Sequence, residues 1–220
     1  MPICVVLRGK HHFDGKWGPL DWKECYQSLK TNFLDYFKND KIDIYFQTYN
    51  SNEKDELIKT YSPKKTVITP TEDGNTQAGN LINILNKIEN QSQYNFIITT
   101  RFDILYKKPY PEWNIDLNKI SIPFFQPNNT LNDCIHIFKP QFLKLFINKL
   151  KICGKNFHRI QIDRKLIHSM ENNRFYSDTD YPQFFPLNNN PFYILHRKRR
   201  WGFQNEEQAR EVAKRQGFIK

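Results

Sequence analysis

Residues 94–103 read YNFIITTRFD, and this stretch points to the class of fold. Its apolar, β-branched run is typical of a buried strand in a parallel sheet. The run ends in Arg101 and Asp103, two charged residues that lie two positions apart. Side chains two apart share one face of an extended chain. We therefore expect a buried strand that delivers a guanidinium and a carboxylate together to one edge of a sheet.

Segments with strand and helix patterns alternate along the chain up to this stretch. The predicted strands cover residues 3–7, 42–49, 66–69 and 94–100. The predicted helices cover residues 21–38, with Asp21 as the N-cap, then 53–61 and 76–89. Such alternation predicts an α/β fold with a mainly parallel central sheet and helices on both faces, joined by right-handed crossovers.

The second half of the chain has a less regular pattern. We predict strands over 120–125 and 132–138 and helices over 140–151 and 159–172. Residues 205–208 read NEEQ, a capping box that predicts a C-terminal helix. We expect one domain over residues 1–195, with a basic segment and helix over 196–220 that packs on the domain or closes over it.

Composition excludes several classes of protein. The 220 residues carry a net charge of +10, and 15% of them are aromatic, which gives enough apolar surface for a folded core. The sequence has no apolar run of membrane-spanning length and no signal-peptide pattern. We therefore expect a cytoplasmic protein whose four cysteines, Cys4, Cys25, Cys134 and Cys153, are free thiols.

Half of the net charge lies in residues 196–220, where eight basic residues outnumber three acidic ones. The segment includes the run His196-Arg197-Lys198-Arg199-Arg200 followed by an aromatic residue. Three interpretations stay open for this run. It can bind the phosphates of a nucleic acid, grip the diphosphate of a small ligand, or form a solvated surface.

Familiar catalytic motifs are missing from the sequence. It has no G-x-G-x-x-G, no P-loop, no H-E-x-x-H and no G-x-S-x-G. His11 and His12 are adjacent, so on a regular element they would point apart and make a poor metal pair. Asp178-Thr179-Asp180 is a D-x-D sequence, but it lies in a polar segment, and we interpret it as a solvated turn.

Ligands of parallel α/β sheets bind beyond the carboxyl ends of the strands. In this sequence the predicted strand ends are residues 8–10, 48–50, 69–71 and 101–103. Together they supply cations, hydroxyls and one carboxylate, as a phosphorylated ligand requires. Arg101 suits phosphate oxygens or a base edge, and Asp103 suits Mg²⁺ or Mn²⁺. The alternative is that Arg101 and Asp103 form an ion pair that caps the strand.

These strand ends resemble those of GT-A glycosyltransferases. The shared elements are a strand before Arg8-Gly9, a strand ending in Thr48-Tyr49, a helix that contains Gln77, and a strand followed by Arg101-Phe102-Asp103. Over about residues 3–140 the chain is similar in particular to the small nucleotide-sugar transferases of large DNA viruses, including those that glycosylate chlorella-virus capsids. It departs from the usual D-x-D element, because only Asp103 occupies that position.

The resemblance implies a nucleotide-diphosphate-sugar donor, with a UDP-sugar favoured, and a glycan or glycoprotein hydroxyl as acceptor. It places the nucleoside near Leu7, Arg8, Gly9, Thr48 and Tyr49, where Tyr49 either stacks on the base or packs in the sheet. It places the diphosphate near Arg101 and Arg197. It implies Mn²⁺ or Mg²⁺ on Asp103 and His196, unless His196 is an ordinary surface histidine.

The resemblance also suggests Asp133 as the base that deprotonates the acceptor, against an alternative in which Asp133 caps a strand or turn. A viral enzyme of this type would act in the host cytoplasm, in the synthesis of viral glycoprotein glycans. Two other classes stay open. One is a nucleic-acid-binding protein, suggested by the basic tail, and the other is an inactive GT-A-like interaction module.

Overall fold

The computed structural model describes residues 2–11, 22–70, 77–123, 131, 134–153 and 162–170, and the backbone of 193–195. The strands are β1 (Ile3–Arg8), β2 (Ile42–Tyr49), β3 (Lys65–Thr69), β4 (Phe96–Arg101), β5 (Ile104–Tyr106), β6 (Ile120–Ile122), β7 (His136–Phe138), β8 (Ile167–Ser169) and β9 (Tyr193–Leu195). The helices are α1 (Trp22–Asn32), α2 (Lys54–Tyr61), α3 (Gln77–Leu85) and α4 (Leu143–Cys153).

Seven strands form one mixed sheet in the order β3-β2-β1-β4-β7-β6-β8. The first four strands along the chain pair in parallel, with β1 at the centre between β2 and β4. Strand β7 is antiparallel to both β4 and β6, and β8 is parallel to β6. The predicted α/β class with a mainly parallel central sheet is confirmed. The carboxyl ends of β1, β2, β3 and β4 therefore meet at one edge.

The central sheet has a hydrophobic core on each face. Along β1, Ile3, Val5 and Leu7 enter one core together with residues of α1 and α2. The alternate residues Cys4 and Val6 enter the other core, which contains residues of α3 and α4. Every residue of β1 is buried, as expected for a strand covered on both faces. The helices are thus divided between the two faces, as the alternation of elements predicts.

Most predicted elements of the first half match the structure, and β2 has the predicted bounds. The helix predicted over 76–89 ends at Leu85. The helix predicted over 159–172 is wrong in its described part, because Ile167–Ser169 forms β8. Its apolar residues resembled a helical face, but pairing with β6 buries Ile167 and Ser169 at the end of the sheet. Strand β6 lies more than 40 positions earlier in the chain, so the local sequence pattern does not indicate this pairing.

A second, two-stranded sheet pairs β5 with β9 in antiparallel fashion, and the sequence pattern did not predict it. All four cysteines are free thiols, as predicted; three are buried and Cys153 is partly buried. Within the described ranges, no helix is both long and apolar enough to span a membrane. The predicted C-terminal helix and basic segment lie outside the described residues, so the division at residue 195 stays a prediction.

Candidate functional site

The centre of the carboxyl edge is formed by the last residues of β1, β2 and β4. Arg8 pairs in register with Gln47 on one side and with Arg101 on the other. Neighbouring strands lie about 4.8 Å apart, so both arginines start from adjacent positions on the same edge. Both side chains are mostly buried, and Arg8 is only 3% exposed. The folded sheet thus brings together Arg8, predicted to lie near the nucleoside, and Arg101, predicted to lie near the diphosphate.

Arg101 and Asp103 form a bidentate ion pair. Nε of Arg101 donates to Oδ1 of Asp103, and Nη2 donates to Oδ2, each at 2.7 Å. Both side chains are more than nine-tenths buried, so solvent screens this pair weakly. The prediction that these side chains share one side of the chain is confirmed, and so is the alternative that they pair with each other.

Phe102, between the two paired residues, anchors the turn in the core. Its ring is fully buried and makes edge-to-face contacts with Phe46 and Tyr61, at centroid distances of 5.5 and 5.6 Å. It also contacts the imidazole of His11 at 6.1 Å. The aromatic contacts fix the backbone from which Arg101 and Asp103 extend.

Gly9 turns the chain sharply at the end of β1. Its φ angle is +98°, which side-chain-bearing residues rarely adopt, and its N–H donates to the carbonyl of Gln47 at 3.2 Å. None of the described residues would lie within 4 Å of a Cβ atom at this position. The glycine is therefore required by the backbone conformation and not by close packing against the described part of the chain.

A buried hydrogen-bond relay joins this turn to the end of β2. Thr48 Oγ1 donates to the carbonyl of Gly9 at 2.9 Å, so it accepts from Nδ1–H of His11 at 2.5 Å. Nε2 of His11 lies 2.6 Å from the hydroxyl oxygen of Ser51, within hydrogen-bond distance. The His11 side chain is fully buried. Thr48, predicted as a nucleoside contact, is occupied in holding the turn.

Tyr49 and Gln47 are also held by hydrogen bonds at this edge. The Tyr49 hydroxyl accepts from the amide of Asn80 at 3.0 Å, and Gln47 donates to the hydroxyl of Thr69 at 2.9 Å. Burial raises the pKa of Tyr49, while the Asn80 hydrogen bond and the charge of Arg8 act in the opposite direction. The positive charge of the Arg8 guanidinium therefore acts on the Tyr49 hydroxyl at this edge.

Leu7 differs from the other predicted donor-site residues. Its side chain is buried in the core on the α1 side of the sheet. Any contact of Leu7 with a ligand at the edge would involve its backbone. Asp133, His196, Arg197, Asp178 and Asp180 lie outside the described residues, and their predicted roles stay predictions.

Three contributors to this edge were missed in the sequence. In the sequence His11 was weighed only as a possible metal ligand beside His12. The sequence pattern assigned no role to Gln47 or Asn80. The hydrogen-bond partners named above lie between 22 and 40 positions away. The position of His11 immediately after the predicted loop over residues 8–10 was the one available signal.

The described residues do not by themselves fit a divalent cation. Both oxygens of Asp103 accept hydrogen bonds from Arg101. Within the described part of the chain, no group of three or more His, Cys, Asp or Glu side chains is placed to hold a metal ion. The Mn²⁺ or Mg²⁺ expected from the resemblance stays a prediction, because its second predicted ligand, His196, lies outside those residues.

Comparison with known proteins gives distant similarities of structure. No protein-family model matches the chain, and no curated protein matches it. Among solved structures, the apo form of the glycosyltransferase GlyE of Streptococcus pneumoniae TIGR4 has a TM-score of 0.47 at 10% identity, over 100% of this chain and 61% of that one.

Two other solved structures are similar at the same level. Mouse xyloside xylosyltransferase 1 has a TM-score of 0.45 at 10% identity, over 77% of this chain and 85% of that one. The galactosyltransferase LgtC, solved with donor and acceptor sugar analogues, has a TM-score of 0.43 at 10% identity, over 72% of this chain and 66% of its own. At these scores the similarity is too remote to assign an activity.

Proposed function

We propose that the protein is a glycosyltransferase that takes a sugar from a nucleotide-diphosphate donor, with a UDP-sugar favoured, and moves it to a hydroxyl acceptor. One observation carries the proposal. Arg8 and Arg101 are adjacent in register at the carboxyl edge of a parallel sheet, beside the turn at Gly9. Such an edge is where α/β proteins bind ligands, and guanidinium groups match the geometry of phosphate oxygens.

The chemistry requires stabilisation of the leaving group. As the bond from the anomeric carbon to the β-phosphate oxygen breaks, negative charge develops on the nucleoside diphosphate. Cationic donors that are already in place stabilise that charge without reorganising. Arg8 and Arg101 are held by their strands and by burial, so they meet this requirement. The acceptor oxygen bonds to the anomeric carbon and gives its proton to a base.

We propose Asp133 as that base and Arg197 as a further diphosphate contact. Strand β7 is antiparallel to β4, so the chain enters β7 from the carboxyl edge of β4. Asp133 precedes this entry by three residues in the sequence. The basic run that follows His196 would supply more positive charge and close over the donor, which excludes water from the reaction.

The test is a thermal-shift screen of UDP-sugars and GDP-sugars against wild type and Arg8→Met. A ligand that binds only the folded state raises the melting temperature. Loss of a hydrogen bond to a charged group costs about 1.5–3 kcal/mol. Arg8→Met should therefore lower the affinity for the donor about 10- to 150-fold. Arg164→Met is the matched control, because Arg164 is exposed and lies before the amino end of β8, at the opposite edge.

Three results separate the candidate functions. Donor binding with sugar transfer or slow donor hydrolysis supports the transferase. Donor binding without any turnover indicates an inactive module. No shift with any nucleotide sugar contradicts the proposal and leaves nucleic-acid binding, for which affinity should fall steeply with added salt.

A further inference from the structure

We infer that Asp103 is a positioning residue for Arg101, and that the pair binds the donor diphosphate without a divalent cation on Asp103. The inference rests on the proposed function and specifies how that site recognises its ligand. It departs from the metal role that the resemblance implies for Asp103. It follows from three features of the turn over residues 101–103.

The first feature is the use of both carboxylate oxygens. A cation bound to Asp103 needs at least one oxygen, yet Oδ1 and Oδ2 each accept from Arg101 at 2.7 Å. Each oxygen keeps one further lone pair, so a cation there would share an oxygen with Arg101 inside a pair that is more than nine-tenths buried. It would lie beside the Arg101 guanidinium, and the repulsion between these two positive charges is weakly screened at such burial.

The second feature is the direction of the guanidinium. Asp103 engages the edge of Arg101 that carries Nε and Nη2. A guanidinium is planar and rigid, so this contact turns its Nη1 corner away from the carboxylate. The neighbouring cation is Arg8, which is in register with Arg101 across the β1–β4 pair. A diphosphate that bridges Arg8 and the Nη1 corner would receive donors from two adjacent strands.

The third feature is rigidity. Phe102 is fully buried against Phe46 and Tyr61, so the residues on either side of it extend from a fixed backbone. A side chain that is already ordered loses little entropy when a ligand binds. Asp103 thus fixes the orientation of the Arg101 guanidinium, which is the group that meets the ligand.

The test is isothermal titration of the 220-residue chain with UDP, with GDP and with inorganic pyrophosphate, each in Mn²⁺ and in EDTA. We expect the wild-type affinity to differ less than about twofold between the two conditions. Loss of a charged contact predicts that Arg101→Met weakens binding about tenfold or more, and that Asp103→Asn weakens it by a smaller factor in both conditions.

A double-mutant cycle separates positioning from direct binding. If Asp103 acts through Arg101, adding Asp103→Asn to Arg101→Met changes the affinity less than about twofold. If Asp103 holds a metal, its loss weakens binding only in Mn²⁺, and by the same factor in both backgrounds. A purely structural role would lower the melting temperature of the free protein without this coupling in affinity.

Two negative results have different meanings. Binding to the wild-type chain that falls tenfold or more in EDTA overturns this inference and leaves the proposed transferase standing. No binding of UDP, GDP or pyrophosphate in either condition overturns both. The comparison of Mn²⁺ with EDTA uses the wild-type chain alone, so the test holds even if a variant fails to fold.

Discussion

The stability of the sheet depends on a buried carboxylate far from the candidate site. Asp43, near the start of β2, accepts from the hydroxyl of Tyr94 at 2.6 Å and from Nζ of Lys64 at 2.9 Å. The Asp43 side chain is 10% exposed and that of Lys64 is 31% exposed. Replacing Asp43 by Asn keeps the shape and removes the charge, so this substitution measures the ionic part of the cluster.

The expected loss is the difference between two effects. A hydrogen bond to a charged group contributes about 1.5–3 kcal/mol, and the partly exposed pair with Lys64 adds less than about 1 kcal/mol. Removing the charge also recovers part of the cost of burying it. We expect Asp43→Asn to lower the free energy of unfolding by about 2 kcal/mol. In a chain of this length that corresponds to about 4–8 °C in Tm.

The assay is urea denaturation of the Asp43→Asn chain, beside a matched exposed pair. Lys30 and Asp35 are 2.6 Å apart, with side chains 41% and 46% exposed, so Asp35→Asn should change the stability by less than about 0.5 kcal/mol. Asp43→Asn should also lose part of its effect in a Tyr94→Phe background. Equal effects of the two Asn variants, or full additivity with Tyr94→Phe, would refute the reasoning.

The pH dependence has a definite sign. Burial acts to raise the pKa of Asp43, but the hydrogen bonds from Tyr94 and Lys64 outweigh it, and the pKa is lowered overall. A carboxyl group with a lowered pKa stabilises the folded state above its unfolded pKa, about 3.9, and the stabilisation is lost as the pH falls through the folded value. The gap between wild type and Asp43→Asn should therefore be constant near neutral pH and shrink below about pH 4.

Three more outcomes are expected. Gly9→Ala should cost about 1–2 kcal/mol, measured by denaturation, through backbone strain, because no described residue lies within 4 Å of a Cβ there; an unchanged stability would contradict this. Thr48→Val should cost about 1–3 kcal/mol by leaving the Gly9 carbonyl and the His11 imidazole without their hydroxyl partner, whereas Thr48→Ser should restore most of it. In native protein Cys153, which is only partly buried, should react with a thiol reagent before the three buried cysteines, although burial raises its pKa. Early labelling of Cys4 would contradict the described core.

Local pattern predicted most of the first half of the fold. Strand β1 is a continuous apolar run that ends in a charged residue, and its burial on both faces makes that pattern strong. Strand β8 was not predicted, because its three residues form a strand only through pairing with β6, more than 40 positions earlier. The β5–β9 pair was missed for the same reason.

The candidate site was predictable in composition and less so in geometry. The spacing of Arg101 and Asp103 predicted that both reach one edge, and parallel pairing predicted that Arg8 would join them. The sequence left open whether Asp103 faces a ligand or pairs with Arg101, because both arrangements use the same spacing. The bidentate contact follows from burial, which leaves two opposite charges in one small space.

The sequence by itself determined the alternation of strands and helices. This alternation also determines which strand ends share an edge, because strands joined by helical crossovers run parallel to one another. Only the tertiary structure decided which side chains at that edge are engaged with each other. The relay of His11, Thr48 and Ser51 and the pair of Arg101 and Asp103 depend on distances of a few ångströms. Such distances are set by packing across the whole sheet, since no single segment contains all three residues of the relay.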